Sequence, residues 1–174
     1  GPNGIGTLEH FNISHPSVIQ MGTLGKALGS FGAFIAGDTS LIELLINRAR
    51  PFIYTTALPP SVCAAASKAI ELIDEDPTLL ARLHDRRRRL HEGLAGCGFD
   101  TMGSSTPIIP ILVRDAQEAV EASLALLERG VFIQAIRPPT VPEGTSRLRA
   151  TVTAIHSEAE IDAALSALKE VVSA

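Results

Sequence analysis

Four glycines and one lysine, in the run Gly22-Thr23-Leu24-Gly25-Lys26-Ala27-Leu28-Gly29-Ser30-Phe31-Gly32, constrain this chain more than any other stretch. Glycine weakens helix and strand interiors and adopts backbone conformations closed to other residues. The apolar runs on either side, residues 17–23 and 31–36, read as strands. The segment therefore predicts a tight strand–turn–strand unit with a lysine at its bend. A lysine in a confined, partly desolvated setting loses part of its preference for the charged form, and its amine becomes available for attack on a carbonyl carbon. The plain alternative is a solvated surface lysine. The phosphate-loop pattern does not apply, because it needs glycine where Gln20 stands and Ser or Thr where Ala27 stands. Thr23, at the start of the turn, has a hydroxyl suited to a phosphate or, more plainly, to capping the turn.

Around this turn the chain alternates between helical and extended patterns. Residues 1–16 read as loop. Asp38 or Thr39 caps a helix over 40–50, which Pro51 stops, and residues 52–56 read as a short strand. Pro59-Pro60 opens a helix to about residue 74, and an amphipathic helix follows over 77–95. Then come a strand at 108–113, a helix at 116–128, a strand at 131–135, a proline-rich loop and a strand at 146–153. Ser157 and Glu160 form a capping box for a last helix reaching residue 172. Alternating elements of this kind indicate an α/β fold.

Two further constellations carry chemistry. Thr55 and Thr56 precede a proline-initiated helix, whose free N–H groups attract anions; ordinary strand residues before a helix start are the alternative. Arg147 and Arg149 flank Leu148 on a strand, so both point to one face. Arginine's planar fork suits a carboxylate, and Arg137 precedes the proline loop nearby; solvated arginines are the alternative.

The run Arg86 to Arg89 is conspicuous but sits on an amphipathic helix, where Asp85 and Glu92 are candidate partners. With a net charge of −4, nothing favours a nucleic-acid partner. His84, His91 and His156 lack metal-ligand spacing, so no metal is expected. Cys63 and Cys97 are too few for a disulfide framework, which suits a reducing, cytoplasmic setting. No apolar run is long enough to span a bilayer, and the first residues do not read as a signal peptide.

Taken together, the ordered motifs resemble the α-oxoamine synthases, pyridoxal-phosphate enzymes that condense an amino acid with an acyl thioester and release CO2. The resemblance is carried by residues 22–29, by Phe52-Ile53-Tyr54-Thr55-Thr56-Ala57-Leu58-Pro59-Pro60, by the stretch from Ile136-Arg137-Pro138-Pro139-Thr140-Val141-Pro142 to Arg147-Leu148-Arg149, and by Ala154-Ile155-His156. It implies the C-terminal part of a fold-type-I pyridoxal-phosphate-dependent transferase. Residues 1–76 would be the end of the large cofactor domain and residues 77–174 the small C-terminal domain. Lys26 would form the imine with pyridoxal 5'-phosphate (PLP) and move protons at the substrate α-carbon, and Thr23 would bind the cofactor phosphate. Thr55 and Thr56 would reach a phosphate in the neighbouring subunit's site, implying a homodimer. Arg149, with Arg137 as second candidate, would hold the substrate carboxylate, and Thr140 would contact substrate. The proline loop and the Tyr-Thr-Thr-Ala-Leu-Pro-Pro stretch favour the biotin-pathway branch, which joins L-alanine to a pimeloyl thioester. The lysine motif is shared with the glycine C-acetyltransferase branch, and a non-catalytic α/β association module is the reading outside this chemistry. The family's Asp-x-Ala-His stretch, which serves the cofactor ring, would lie before Gly1, so the chain is expected to begin inside a longer protein and to be inactive by itself.

Overall fold

In the computed structural model, which describes residues 1–172, the chain divides into two units, Gly1–Pro77 and a second from Thr78 onward. In the first unit, a helical turn α1 (Thr7–His10) precedes strands β1 (Gln20–Thr23) and β2 (Ala33–Ala36). The two strands pair antiparallel, with Thr23 opposite Ala33 and Gly22 opposite Phe34. Helix α2 (Thr39–Arg48) starts where the Asp38 carboxylate accepts the Ser40 N–H, the arrangement that satisfies an orphan donor at a helix start. A helical turn α3 (Arg50–Ile53) and helix α4 (Pro60–Glu75) complete the unit.

The strand expected over residues 52–56 is not formed. Pro51 lies in the first turn of α3, where its fixed φ favours helix, and the Tyr54 N–H donates to the Arg50 carbonyl at 3.1 Å. The β-propensity of Phe52, Ile53 and Tyr54 yields to that local start. Thr55 and Thr56 thus leave a helical turn.

The second unit contains α5 (Thr78–Gly96), β3 (Ile108–Arg114), α6 (Ala116–Glu128), β4 (Gln134–Ile136), β5 (Ser146–Thr151) and α7 (Glu158–Val171). Its sheet has the order β3-β5-β4, antiparallel throughout. Pro110, which lacks an N–H, is confined to the edge strand β3, as ladder bonding requires. Strand alternation sends Ile109, Ile111, Leu148 and Ala150 into the core with Leu90, Leu94, Leu126, Ile161 and Leu168 of the helices. Arg147 and Arg149 take the opposite face. Helices α5 and α7 approach closely at Gly93, where a Cβ would run into the Leu165 side chain.

The arginine run of α5 faces acids on α7 rather than Glu92. Arg89 grips Asp162 through two contacts, 2.9 and 2.7 Å, and reaches Glu158 at 3.0 Å. Arg86 donates to the His156 carbonyl at 2.9 Å and to Glu158 at 3.2 Å. Asp85, as expected, pairs with Arg86 and with Arg88. The Arg89 guanidinium holds the Asp162 carboxyl below its ordinary value of 3.8. The Ser157 backbone N–H, then its hydroxyl, hold Glu160 below 4.5. Because folding lowers both values, the stabilisation they provide is complete above about pH 4.5 and is lost as pH falls through the lowered values. The urea midpoint of this unit is therefore expected to drop on acidification below pH 4.5, and Asp162→Asn with Glu160→Gln to flatten that dependence. An unchanged slope in the double variant would exclude this origin.

Candidate functional site

The lysine turn is built by three backbone hydrogen bonds. The Leu24 N–H donates to the Gly32 carbonyl at 2.9 Å, the Ser30 N–H to the Leu24 carbonyl at 2.9 Å, and the Gly29 N–H to the Lys26 carbonyl at 3.0 Å. Leu24 is buried and anchors the turn, while Gly29 and Gly32 have φ of +58° and +99°, values that strongly favour glycine. Lys26 is exposed in this unit, which corrects the expectation of a partly desolvated amine. Thr23 is also exposed, at the end of β1. Neither its hydroxyl nor the Lys26 amine has a hydrogen-bond or ion-pair partner among the described residues.

The segment carrying Thr55 and Thr56 packs against this turn. A Cβ on Gly32 would lie 2.6 Å from Leu58 Cδ1, and the Ser30 hydroxyl donates to the Val62 carbonyl in the first turn of α4 at 2.7 Å. Thr55 and Thr56 are themselves exposed. Ser30 and Leu58 were not singled out by the sequence motifs; the short polar residue amid glycines was the available signal for the first. Gly32→Ala is expected to destabilise this unit by about 1–3 kcal/mol through its positive φ and the Leu58 contact. It should also speed amide exchange at Leu24 and Ser30, measured by NMR; unchanged exchange would show that the turn tolerates a side chain there.

In the second unit, Arg137 and Thr140 bracket one turn, closed by the Thr140 N–H donating to the Arg137 carbonyl at 3.1 Å; its Pro138–Pro139 bond is cis. Arg149 lies apart from that turn, on β5, opposite Gln134 of β4. Its Nη2 donates to the Gln134 Oε1 at 2.8 Å. Arg147 is half-buried and donates Nε to the Thr145 carbonyl at 2.9 Å. Arg149 and Gln134 line a cavity of about 590 Å³ with Phe132, Thr151 and Thr153, which Arg137 and Thr140 do not line. Gln134 is a residue the motifs missed; the strand register was the signal that would have found it.

Among the described residues there is no cluster of three metal-ligating side chains, and no helix is long and apolar enough to cross a membrane. A profile of class I and II aminotransferases matches residues 5–168. The chain belongs to that family. This aminotransferase-family chain is 49% identical over 171 residues to the 8-amino-7-oxononanoate synthase of Anaeromyxobacter dehalogenans, covering 98% of the chain and 43% of the relative. It is also 49% identical to the synthase of that name from Methylococcus capsulatus, over 99% of the chain and 45% of the relative. The chain thus spans less than half the length of these curated relatives. Among solved structures, a serine palmitoyltransferase with PLP superposes with a TM-score of 0.91 at 32% identity, over 98% of this chain and 44% of that one. The 8-amino-7-oxononanoate synthase of Francisella tularensis does so with a TM-score of 0.85 at 28% identity, over 98% and 50%. The α/β fold of the family is therefore present here.

Proposed function

We propose that this chain is the C-terminal part of a PLP-dependent C-acyltransferase that condenses L-alanine with a pimeloyl thioester, of coenzyme A or acyl carrier protein, to give 8-amino-7-oxononanoate and CO2 in biotin biosynthesis. The observation that carries the reading is 49% identity, over nearly the whole chain, to relatives bearing that enzyme's name. In the reaction, the acyl carbon leaves sulfur and bonds to the alanine α-carbon, while the alanine carboxyl departs as CO2 and the thiol is released.

The residues present fit the cofactor. PLP carries an aldehyde and a phosphate, and the turn offers an unpartnered primary amine on Lys26 and an unpartnered hydroxyl on Thr23. Bound PLP supplies the electron sink that stabilises negative charge at the substrate α-carbon. Lys26 would hold the cofactor and move the α-proton; Thr23 would bind its phosphate. Arg149, whose guanidinium is turned to solvent, would bind the substrate carboxylate, with Arg137 as the second candidate and Thr140 as a further substrate contact. Thr55 and Thr56 would reach a phosphate bound by the neighbouring subunit, which makes the working assembly a homodimer. On this reading residues 1–76 belong to the cofactor domain and residues 77–174 form the small domain. The free Cys63 and Cys97 accord with a cytoplasmic setting.

The test compares kcat/KM of the full-length protein for L-alanine with a pimeloyl thioester against glycine with an acetyl thioester, with product identified by mass spectrometry. A preference for the first pair, by an order of magnitude or more, is expected. A preference for glycine and acetyl would replace the substrate assignment with that of a glycine C-acetyltransferase.

A further inference from the structure

We propose that Gln134 is a positioning residue, whose side-chain carbonyl holds the Arg149 guanidinium ready for a carboxylate substrate without neutralising its charge. This rests on the reading of Arg149 as the carboxylate clamp and adds to it the device that aims the clamp.

Three observations carry it. The β4–β5 register sets Gln134 directly opposite Arg149, so the two side chains leave the same face of the sheet. The Gln134 Oε1 accepts from the Arg149 Nη2 at 2.8 Å, and this is the side-chain bond Arg149 makes among the described residues. Both residues line the same cavity of about 590 Å³. Arg147, two residues earlier on the same face, is instead tied to its own loop by the Thr145 carbonyl. The two arginines differ in setting: Arg149 is exposed and lines the cavity, whereas Arg147 is half-buried and does not line it.

The chemistry of the acceptor matters. A guanidinium has five N–H donors, so one bond at Nη2 leaves donors free for a two-pronged carboxylate contact. An unrestrained arginine would lose side-chain freedom on binding, and a pre-formed bond removes part of that cost. Glutamine does this as a neutral dipole. A glutamate of the same shape would form an ion pair with Arg149 and compete with the incoming carboxylate.

The experiment measures the KM for the amino acid, kcat, and the amino-acid Kd by direct titration in the full-length protein. Gln134→Leu is expected to raise KM and Kd about fivefold to tenfold, the cost of ordering one long side chain on binding, with kcat within about twofold. Gln134→Glu should raise both at least as much, although it preserves size and the hydrogen bond. A purely structural role predicts the reverse order, with glutamate restoring what leucine loses, and that result would overturn the proposal. If Arg149→Ala weakens binding while both Gln134 variants bind as the parent does, Arg149 remains the clamp and Gln134 has no part in aiming it. If Arg149→Ala leaves KM and Kd unchanged, the clamp itself and the role built on it both fall. Should Gln134→Leu fail to fold, the glutamate variant decides alone.

Discussion

Lys26→Ala is expected to reduce kcat/KM of the full-length enzyme by at least about a thousandfold, the scale on which a positioned proton-transfer group and nucleophile contribute. Lys26→Arg should not restore activity, because a guanidinium stays protonated and cannot attack an aldehyde. Borohydride reduction followed by peptide mapping should place the cofactor on residue 26 in the parent and nowhere in the alanine variant. The turn should survive the change, since Lys26 contributes only its backbone carbonyl to the hydrogen bonds that close it. Retention of turnover within tenfold of the parent would remove Lys26 from the chemistry and revive the reading of the chain as an association module.

The second large effect concerns stability. Leu148 is fully buried on β5, the central strand of its sheet, opposite Ile111 on one side and Ala135 on the other. Leu148→Ala should cost about 2–5 kcal/mol, the sum of lost transfer energy and the cavity left behind. Its neighbour Arg149 points the other way and is exposed, so Arg149→Ala should change stability by less than about 0.5 kcal/mol. Urea denaturation of the two variants makes the contrast: adjacent positions on one strand, one buried in the core and one exposed. Equal effects on stability would mean that the alternation does not divide the two roles.

Where local rules act alone, the fold was legible in the sequence. Helix α6 runs from Ala116 to Glu128 as read, because Asp115 caps it and Arg129-Gly130 ends it. The Ser157–Glu160 capping box forms as expected at the start of α7. The strand from Ser146 also shows the expected division between Leu148 and its two arginine neighbours. The stretch after Pro51 reads as strand from its side chains, yet a second local signal, the proline in the first turn of α3, decides it. Where a feature depends on distant chain, local rules do not reach it. The exposure of Lys26 depends on what covers a turn, and spacing along a chain does not encode that. Arg86 and Arg89 also reach acids about seventy residues away on α7, beyond the reach of any helical period. Gln134 escaped notice for the same reason: its significance comes from the strand laid beside it.

The bond from the Ser30 hydroxyl to the Val62 carbonyl gives the lysine turn a mechanical attachment. Because Leu58 also fills the space over Gly32, the turn is clasped both by the lead-in to α4 and by that helix's opening residues. Any force that tilts the front of α4 will be handed on to the bend bearing Lys26. Thr55 and Thr56 lie just upstream on that same lead-in.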